Sequence, residues 1–355
     1  MHNKNQVSSL LVRWYHQNKR DLPWRDTQDP YKIWISEIIL QQTRVNQGLD
    51  YYNRFVERFP DVITLAEASE DEVLKYWQGL GYYSRARNLH KAAKQIAINH
   101  HGKFPDNHND IISLSGVGAY TAAAICSFAY DLPYAAVDGN VYRVLSRIFG
   151  IDTPIDSPAG NKTFQQIAQD ILDKNHPGIH NQAIMEFGAL QCVPASPNCE
   201  SCPLKGICIS FASNLTNLLP VKTKKIKTRK RYFNYLFIKN KRLTYLQKRT
   251  GDDVWKNLYE FPLIEDERLL EANELFLHED FKKITKDIAS EITIKSISQP
   301  VKHVLTHQQI FAQFFLIEIT ELNERINQFE ETEITAIDKY PVSRLMDLFI
   351  KNHLG

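Results

Sequence analysis

The sequence predicts a mainly α-helical N-terminal region followed by an α+β C-terminal domain. Over residues 6–212, apolar residues recur every three or four positions and turn residues interrupt the runs, which is typical of helices. Beyond residue 231, the segments RYFNYLFIKN, LTYLQKR and FAQFFLIEIT are rich in aromatic and β-branched residues, which favour strands. Helical patterns return at about 266–285 and 342–353. A chain of 355 residues is long enough for both regions to have their own cores.

A basic segment separates the two regions. Residues 221–231, VKTKKIKTRKR, contain seven basic residues and no acidic one. The segment could follow a phosphate backbone, and a merely solvated connector explains it equally well. We therefore predict an N-terminal region over 1–215, a linker over 216–231 and a C-terminal domain over 232–355.

The overall composition is that of an ordinary globular protein. The net charge is only +2, so an anionic partner has to bind local basic patches. No stretch is apolar for long enough to cross a membrane, and the N-terminus has neither a signal-peptide core nor a cleavage site. We expect a soluble, cytoplasmic monomer with no membrane partner.

Four cysteines lie close together, with six, two and five residues between them: Cys192, Cys199, Cys202 and Cys208. Three prolines within this stretch disfavour a helix and indicate a stiff loop. Thiolates at such spacing suit zinc or an iron–sulfur cluster. Two disulfides are the alternative, which a fifth cysteine, Cys126, and the missing signal peptide disfavour.

The segment LSGVGAYTA, residues 114–122, places Gly116 and Gly118 between two helical patterns. Glycines allow backbone N–H groups to approach a ligand closely, and the following helix presents its N-terminus to an anion. The segment has the form of a helix-hairpin-helix, which binds a DNA phosphate without reading the sequence. A tight turn between two helices, with no ligand, fits it about equally well.

Two acidic residues stand in apolar surroundings. Asp29 and Pro30 are a good start for the helix YKIWISEIILQQT, whose sides are apolar except at Glu37. Burial of this carboxylate would raise its pKa towards that of a general acid. Asp138 precedes another helix and fits an N-cap. Considered alone, Asp138 is better explained by capping than by catalysis, although one side chain can do both.

Together these features resemble the endonuclease III superfamily of DNA glycosylases and, within it, the A/G-specific adenine glycosylases. The resemblance implies a helix-hairpin-helix glycosylase fold, a six-helix barrel with a cluster loop, and a [4Fe-4S] cluster held by the four closely spaced cysteines. The motifs that carry it occur in order before residue 216: DLPWR (21–25), WISEIILQQTRV (34–45), GLGYYSRARNL (79–89), LSGVGAYTA (114–122), AVDGNVYRVLSR (136–147), NQAIMEFGALQC (181–192) and the cysteine loop.

The resemblance also implies a reaction: removal of adenine opposite 8-oxoguanine or guanine in double-stranded DNA, as part of base excision repair. It assigns Glu37 as the general acid at adenine N7 and Asp138 as the carboxylate that stabilises an oxocarbenium-like sugar. Tyr120 and Asn140 match residues that support this chemistry. Bifunctional relatives have a lysine where this chain has Tyr120, and a phenol cannot form their Schiff base, so we expect a monofunctional enzyme.

Further residues match positions that contact DNA in the family. The target adenine must leave the duplex, and inserted side chains fill the gap. For Tyr82, plain packing is the alternative. The matching residues are Arg25 and Gln182 for the adenine pocket, Gln42, Leu80 and Tyr82 for insertion, and Gly116 and Gly118 for the backbone.

The C-terminal domain resembles the nudix-like domain with which adenine glycosylases recognise 8-oxoguanine. The resemblance lies in residues 253–265 and 302–315. The glutamate-rich helix with which nudix hydrolases hold Mg²⁺ is missing from the sequence, so we expect a binding module. Thr306 and His307 match the recognition loop, while Leu305 replaces a phenylalanine that many relatives have.

Two other functions fit parts of this pattern. An endonuclease III-like glycosylase and AP lyase would share the helical region but not Tyr120 or the nudix-like domain. A non-catalytic, damage-binding iron–sulfur protein would share the fold but would not need both Glu37 and Asp138.

Overall fold

The computed structural model describes residues 4–223, 227–285, 292–319 and 329–354. The described residues form two compact units, Met1–Ala68 with Asn88–Lys224, and Ser69–Arg87 with Lys225–Gly355. The second unit therefore includes a short segment from the helical half of the sequence. In the described ranges, no helix is both long enough and apolar enough to cross a membrane.

The predicted N-terminal region is helical. Its helices are α1 (Lys4–Asn18), α2 (Pro30–Leu40), α3 (Val45–Arg58), α4 (Val62–Glu67), α5 (Glu70–Tyr76), α6 (Ser84–Asn99), α7 (His108–Ser113), α8 (Ala119–Tyr130), α9 (Gly139–Phe149), α10 (Pro158–Ile171), α11 (Pro177–Leu190) and α12 (Ile209–Ala212). A short 3₁₀ helix, Pro23–Arg25, precedes α2. Helix α5 and the start of α6 belong to the second unit, and the other helices belong to the first.

Two helix starts that position the candidate site were predicted from the sequence and are confirmed. The Asp29 side chain accepts a hydrogen bond from the backbone N–H of Tyr31 at 2.9 Å, and Pro30 is the first residue of α2. The Asp138 side chain accepts one from the N–H of Val141 at 2.8 Å and caps α9. Such a cap satisfies a backbone donor that the helix itself leaves unpaired.

Helices α1, α9, α10 and α11 share a hydrophobic core in the first unit. Among its fully buried side chains are Leu11, Val144, Phe164, Ala183 and Phe187. This core fixes the C-terminal part of α11 against the start of α9, where Asp138 lies.

The second unit contains a mixed sheet and three further helices. The strands are β1 (Arg229–Asn240), β2 (Leu243–Lys248), β3 (Tyr259–Glu260), β4 (Leu263–Asp266), β5 (Ile292–Ile297), β6 (Val301–Val304), β7 (Gln308–Ile319) and β8 (Glu330–Glu333). The helices are α13 (Ala272–Leu277), α14 (Glu279–Thr285) and α15 (Arg344–His353). Strands β1 and β7 pair in parallel along their length, and the other pairings are antiparallel.

This architecture confirms the α+β prediction. The three strand-like segments of the sequence became β1, β2 and β7, while the short β3, β4, β5, β6 and β8 had no readable pattern. Strand β1 begins at Arg229, so the last three residues of the segment that we assigned to a linker belong to the sheet. Residues 224–226 of that segment lie outside the described residues.

Candidate active site

The first unit contains a cavity of about 1180 Å³, lined by the 3₁₀ helix, α2, α8, α9 and α11. It brings together the predicted catalytic, adenine-pocket and DNA-contacting residues of this unit. They are Arg25, Glu37, Gln42, Gly116, Gly118, Tyr120, Asp138, Asn140 and Gln182.

Glu37 is buried in α2 and only 6 % exposed. Burial raises its pKa to about 7, and the nearby charge of Asp138 acts in the same direction. A hydrogen bond from Tyr120 and the positive charge of Arg25 act against this rise. With a pKa near neutrality, this carboxyl group can both give up and accept a proton at neutral pH.

Tyr120 lies in the first turn of α8 and holds Glu37 in place. Its hydroxyl donates a hydrogen bond to Oε2 of Glu37 at 2.5 Å. Burial and the negative charge of Glu37 raise the pKa of Tyr120 well above its ordinary value. The phenol therefore stays protonated and acts as a donor, which also orients the carboxyl group.

Asp138 is held at the start of α9 by two donors. Its Oδ1 accepts from the N–H of Val141, and its Oδ2 accepts from Nδ2 of Asn140 at 2.7 Å. Burial raises the pKa of Asp138, and these hydrogen bonds oppose the rise. Oδ1 of Asn140 accepts in turn from Nη2 of Arg143 at 2.9 Å. A Cβ added at Gly188 of α11 would come within 2.6 Å of Cβ of Asn140, so glycine is required for this close approach.

The structure adds a buried acid that we did not predict as a site residue. Glu186 of α11 is 1 % exposed and lines the cavity. It accepts from Nη1 and Nη2 of Arg25 at 2.9 and 2.6 Å, and from Nε and Nη2 of Arg20 at 2.9 and 2.6 Å. Burial alone would raise its pKa, but the hydrogen bonds from Arg20 and Arg25 outweigh burial and lower it to about 2. The sequence offered one signal for this site residue, a single acid within the apolar pattern of α11.

Gln182, one turn earlier in α11, has its amide oxygen fixed. Its Oε1 accepts a hydrogen bond from the hydroxyl of Tyr15 at 2.5 Å. The contact joins residues 167 positions apart in the sequence, which explains why we did not predict Tyr15. It holds the acceptor end of the amide in place beside the cavity.

The segment between α7 and α8 has the predicted hairpin geometry. Gly116 has φ of +76°, and an added Cβ would come within 2.6 Å of Cβ of Asn88, so a side chain is excluded there. Gly118 is the N-cap residue of α8, and an added Cβ would meet no atom within 4 Å. The N-terminus of α8 is therefore approachable, as a phosphate site requires. Gln42 follows α2, is exposed, and has φ of +57°.

The four cysteines of the predicted cluster line a second cavity, of about 30 Å³. The buried Arg147 also lines it: its Nη1 lies 3.4 Å from Sγ of Cys192, and its carbonyl accepts from Sγ of Cys208 at 3.3 Å. Burial raises the pKa of Cys202 to about 11, so a cation is needed to favour the thiolate.

The residues around this second cavity fit a thiolate-held cluster. Soft sulfur donors suit iron–sulfur clusters, and the guanidinium offsets negative charge. Within the described ranges, no three His, Cys, Asp or Glu side chains lie close enough together to hold a single metal ion. The five thiols are free, and Cys126 is buried separately in α8.

The remaining predicted residues lie in the second unit. Tyr82 is 45 % exposed, has φ of +49°, and its hydroxyl lies 2.7 Å from Oγ1 of Thr306. The carbonyl of His307 accepts from the N–H of Arg229 at 2.9 Å, which ties the loop to β1. Leu80 is buried, so insertion into DNA would require it to leave its packing. The structure thus joins Tyr82 and Thr306, for which we had predicted separate roles.

Comparison with known proteins agrees with this arrangement. Residues 35–170 match the family described as "HhH-GPD superfamily base excision DNA repair protein", and residues 234–352 match the NUDIX domain. The chain is 35 % identical to the adenine DNA glycosylase of Buchnera aphidicola subsp. Baizongia pistaciae, over 88 % of this chain and 86 % of that protein. This chain belongs to the adenine DNA glycosylase family. The human family member is 41 % identical over 56 % of this chain and 38 % of that protein.

Solved structures share the fold of about three fifths of this chain. A thermostable thymine-DNA glycosylase covers 59 % of the chain, and 97 % of its own length, with a TM-score of 0.55 and 29 % identity. Endonuclease III in a non-covalent DNA complex covers 61 % of the chain, and 99 % of its own length, with a TM-score of 0.52 and 23 % identity. Together with the two family models, these structures confirm the helix-hairpin-helix glycosylase fold and the nudix-like C-terminal domain.

Proposed function

We propose that this adenine glycosylase removes adenine paired with 8-oxoguanine or guanine in double-stranded DNA, and that it is monofunctional. It would act as a monomer on DNA in the cytoplasm. The observation that carries the proposal is the pairing of two unlike carboxyl groups on one cavity. Glu37 is buried, with a pKa near 7, while Asp138 is held by donors at a helix start.

These two carboxyl groups suit the two ends of an N-glycosidic bond. Adenine flips into the cavity, and protonated Glu37 donates its proton to N7. The bond between C1′ and N9 then breaks, its electron pair leaves with adenine, and positive charge develops on the sugar. The carboxylate of Asp138 stabilises this charge. Water attacks C1′, and Glu37, now a carboxylate, accepts the proton from that water, which restores the starting state.

The other cavity residues would support this sequence of steps. Tyr120 orients the proton-donating carboxyl group, and Asn140 holds the carboxylate of Asp138. Arg25 and Gln182 would contact the flipped adenine. Because Tyr120 offers a phenol and no amine, no Schiff base with the sugar can form at this position.

Each unit carries residues that we propose contact DNA. The N–H groups at the start of α8, made approachable by Gly116 and Gly118, would bind a backbone phosphate. Gln42, Leu80 and Tyr82 would fill the gap that the flipped base leaves. The exposure of the Gln42 and Tyr82 side chains supports this role.

An alkali test distinguishes this reaction from its alternatives. The full chain is incubated with a labelled duplex that contains one 8-oxoguanine:adenine pair, and half of the sample is heated in alkali. We expect breaks at the adenine position only after heating, because a monofunctional glycosylase leaves an abasic site with an intact backbone. Breaks before heating would indicate a lyase. The absence of breaks in both samples would indicate a binding protein, and a duplex with thymine opposite adenine is the control.

We further propose that Cys192, Cys199, Cys202 and Cys208 hold a [4Fe-4S] cluster. When bound, the cluster fastens the loop between α11 and α12, and it takes no part in the chemistry of the glycosidic bond. The four thiols around one cavity, and the buried guanidinium beside Cys192, support this assignment.

Purified protein should therefore be yellow-brown and contain about four irons per chain, as four thiolate ligands imply. Cys199→Ser should lower the iron content and the melting temperature. The matched control is Cys126→Ser, which removes a thiol outside the loop and should leave the iron content unchanged. A colourless wild-type protein that contains zinc would exclude the assignment.

We also propose that the loop containing Thr306 and His307 recognises 8-oxoguanine. Its exposed side chains, and the hydrogen bond between Thr306 and the insertion residue Tyr82, support this role. Thr306 can donate or accept a hydrogen bond, and His307 can reach the lesion or its phosphate.

The double variant Thr306→Ala, His307→Ala should lose much of the preference for 8-oxoguanine over guanine opposite adenine. Each good base contact carries about 1–3 kcal/mol of discrimination. Loss of even one such contact should lower the ratio of the dissociation constant for guanine:adenine to that for 8-oxoguanine:adenine roughly five- to 150-fold. Excision of adenine opposite guanine serves as the control and should change little. An unchanged ratio would mean that this loop does not read the lesion.

A further inference from the structure

Glu186 joins two arginines at the edge of the catalytic cavity. Arg20 and Arg25 each bind it through two side-chain nitrogens, and the acid itself is 1 % exposed. The cluster therefore holds two positive charges and one negative charge. Both Nη atoms of Arg25 are engaged in this ion pair, which fixes the direction of its guanidinium.

The charge on Arg25 bears directly on Glu37. Arg25 and Glu37 line the same cavity, and the guanidinium stabilises the carboxylate form of Glu37. Burial and Asp138 favour the protonated form instead. The titratable and charged side chains that face this cavity from all its elements are Arg20, Arg25, Glu37, Arg44, Tyr120, Asp138, Tyr142, Arg143 and Glu186. Among the three acids of this list, Glu37, Asp138 and Glu186, the one that pairs with Arg25 is Glu186.

We propose that Glu186 is a positioning residue: it fixes Arg25 and offsets its positive charge, which would otherwise favour the carboxylate form of Glu37 over the proton-donating form. The inference deepens the proposed function and rests on the role of Glu37 as general acid. Glu186 would then contribute to the reaction without touching adenine. Arg25 can then line the adenine pocket without favouring the loss of the proton from Glu37.

The sign of the effect follows from the charges. Glu186→Gln would remove one negative charge and leave two guanidinium groups uncompensated. The added positive potential would stabilise the carboxylate of Glu37 and lower its pKa. Less of the enzyme would then carry the catalytic proton at neutral pH, and activity would begin to fall at a lower pH. Removing the charge of Arg25 should have the opposite effect.

The test is the pH dependence of single-turnover adenine excision by the full chain. For Glu186→Gln we expect the falling limb of the profile to shift to lower pH by about one unit or more, as expected of a nearby opposite charge. Arg25→Met should shift that limb to higher pH, even if its overall rate is lower. Glu186→Asp keeps the charge and should retain the wild-type midpoint.

Opposite shifts in these two variants cannot arise from general structural damage, which circular dichroism and thermal unfolding would show. If Glu186→Gln fails to fold, the double variant Glu186→Gln, Arg25→Met tests the proposal. It keeps the net charge of the cluster and should have the wild-type midpoint, and a shift as large as that of Arg25→Met alone would overturn the role of Glu186. Unshifted midpoints in folded variants would overturn the role of Glu186. Full activity of a Glu37→Gln variant would instead overturn the proposed function, so the two failures are distinguishable.

Discussion

Glu37→Gln is expected to abolish the release of adenine and leave binding to the mispaired duplex nearly intact. Glutamine preserves the size of the side chain and can still accept the hydrogen bond from Tyr120, but it has no carboxyl proton to donate. General acid catalysis contributes about a hundred- to ten-thousand-fold to a rate, so we expect a loss of at least this size. The measurements are single-turnover excision and a binding isotherm on the same duplex.

The matched control for this variant is Glu57→Gln, the same change at an exposed position of α3. It should behave as the wild type in both measurements. If Glu37→Gln keeps most of its single-turnover rate, Glu37 is not the proton donor, and the burial of its carboxyl group needs another explanation.

Asp138→Asn should reduce excision severely without destabilising the fold. Asparagine is as good an N-cap as aspartate, so the hydrogen bond from the N–H of Val141 is preserved, while the charge and the hydrogen bond from Nδ2 of Asn140 are lost. Without that charge the cationic sugar is not stabilised, and we expect a loss of about a hundred- to a thousand-fold, as for other groups that stabilise transition-state charge.

Thermal unfolding separates the two roles of Asp138. Asp138→Asn should melt close to the wild type, whereas Asp138→Ala should lose about 1 kcal/mol of stability along with the cap. An active, stable Asp138→Asn enzyme would show that capping is the sole function of this residue.

The parts of the site that could be predicted from the sequence depend on neighbouring residues. Asp29, Asp138 and Glu37 were recognised because a helix start, or an acid in an apolar helix, is a local pattern. The ion pairs of Glu186 could not be predicted, because its partners precede it by 166 and 161 residues. Charge pairing at such a separation depends on tertiary packing, which local patterns do not specify.

In the fold, too, local features could be predicted from the sequence and contacts between distant residues could not. Strands β1, β2 and β7 and most helices leave readable patterns, whereas β3, β4, β6 and β8, with two to four residues each, are too short to show one. The hydrogen bond between Tyr82 and Thr306 joins residues 224 positions apart. Both residues belong to the second unit, whose two pieces come from separate halves of the chain. The composition along the chain gave no indication that these pieces form one unit.

The inclusion of Ser69–Arg87 in the second unit constrains how this protein can be recombined with its relatives. Nε2 of Gln78 donates to Oδ1 of Asp347 at 3.0 Å, and the hydroxyl of Tyr83 donates to the carbonyl of Val342 at 3.2 Å. A chimera that exchanged only the chain after residue 224 would separate these partners. The unit that has to be exchanged is therefore discontinuous: a second unit from another species would have to bring its own version of residues 69–87, and substitutions in the two pieces are expected to accumulate together.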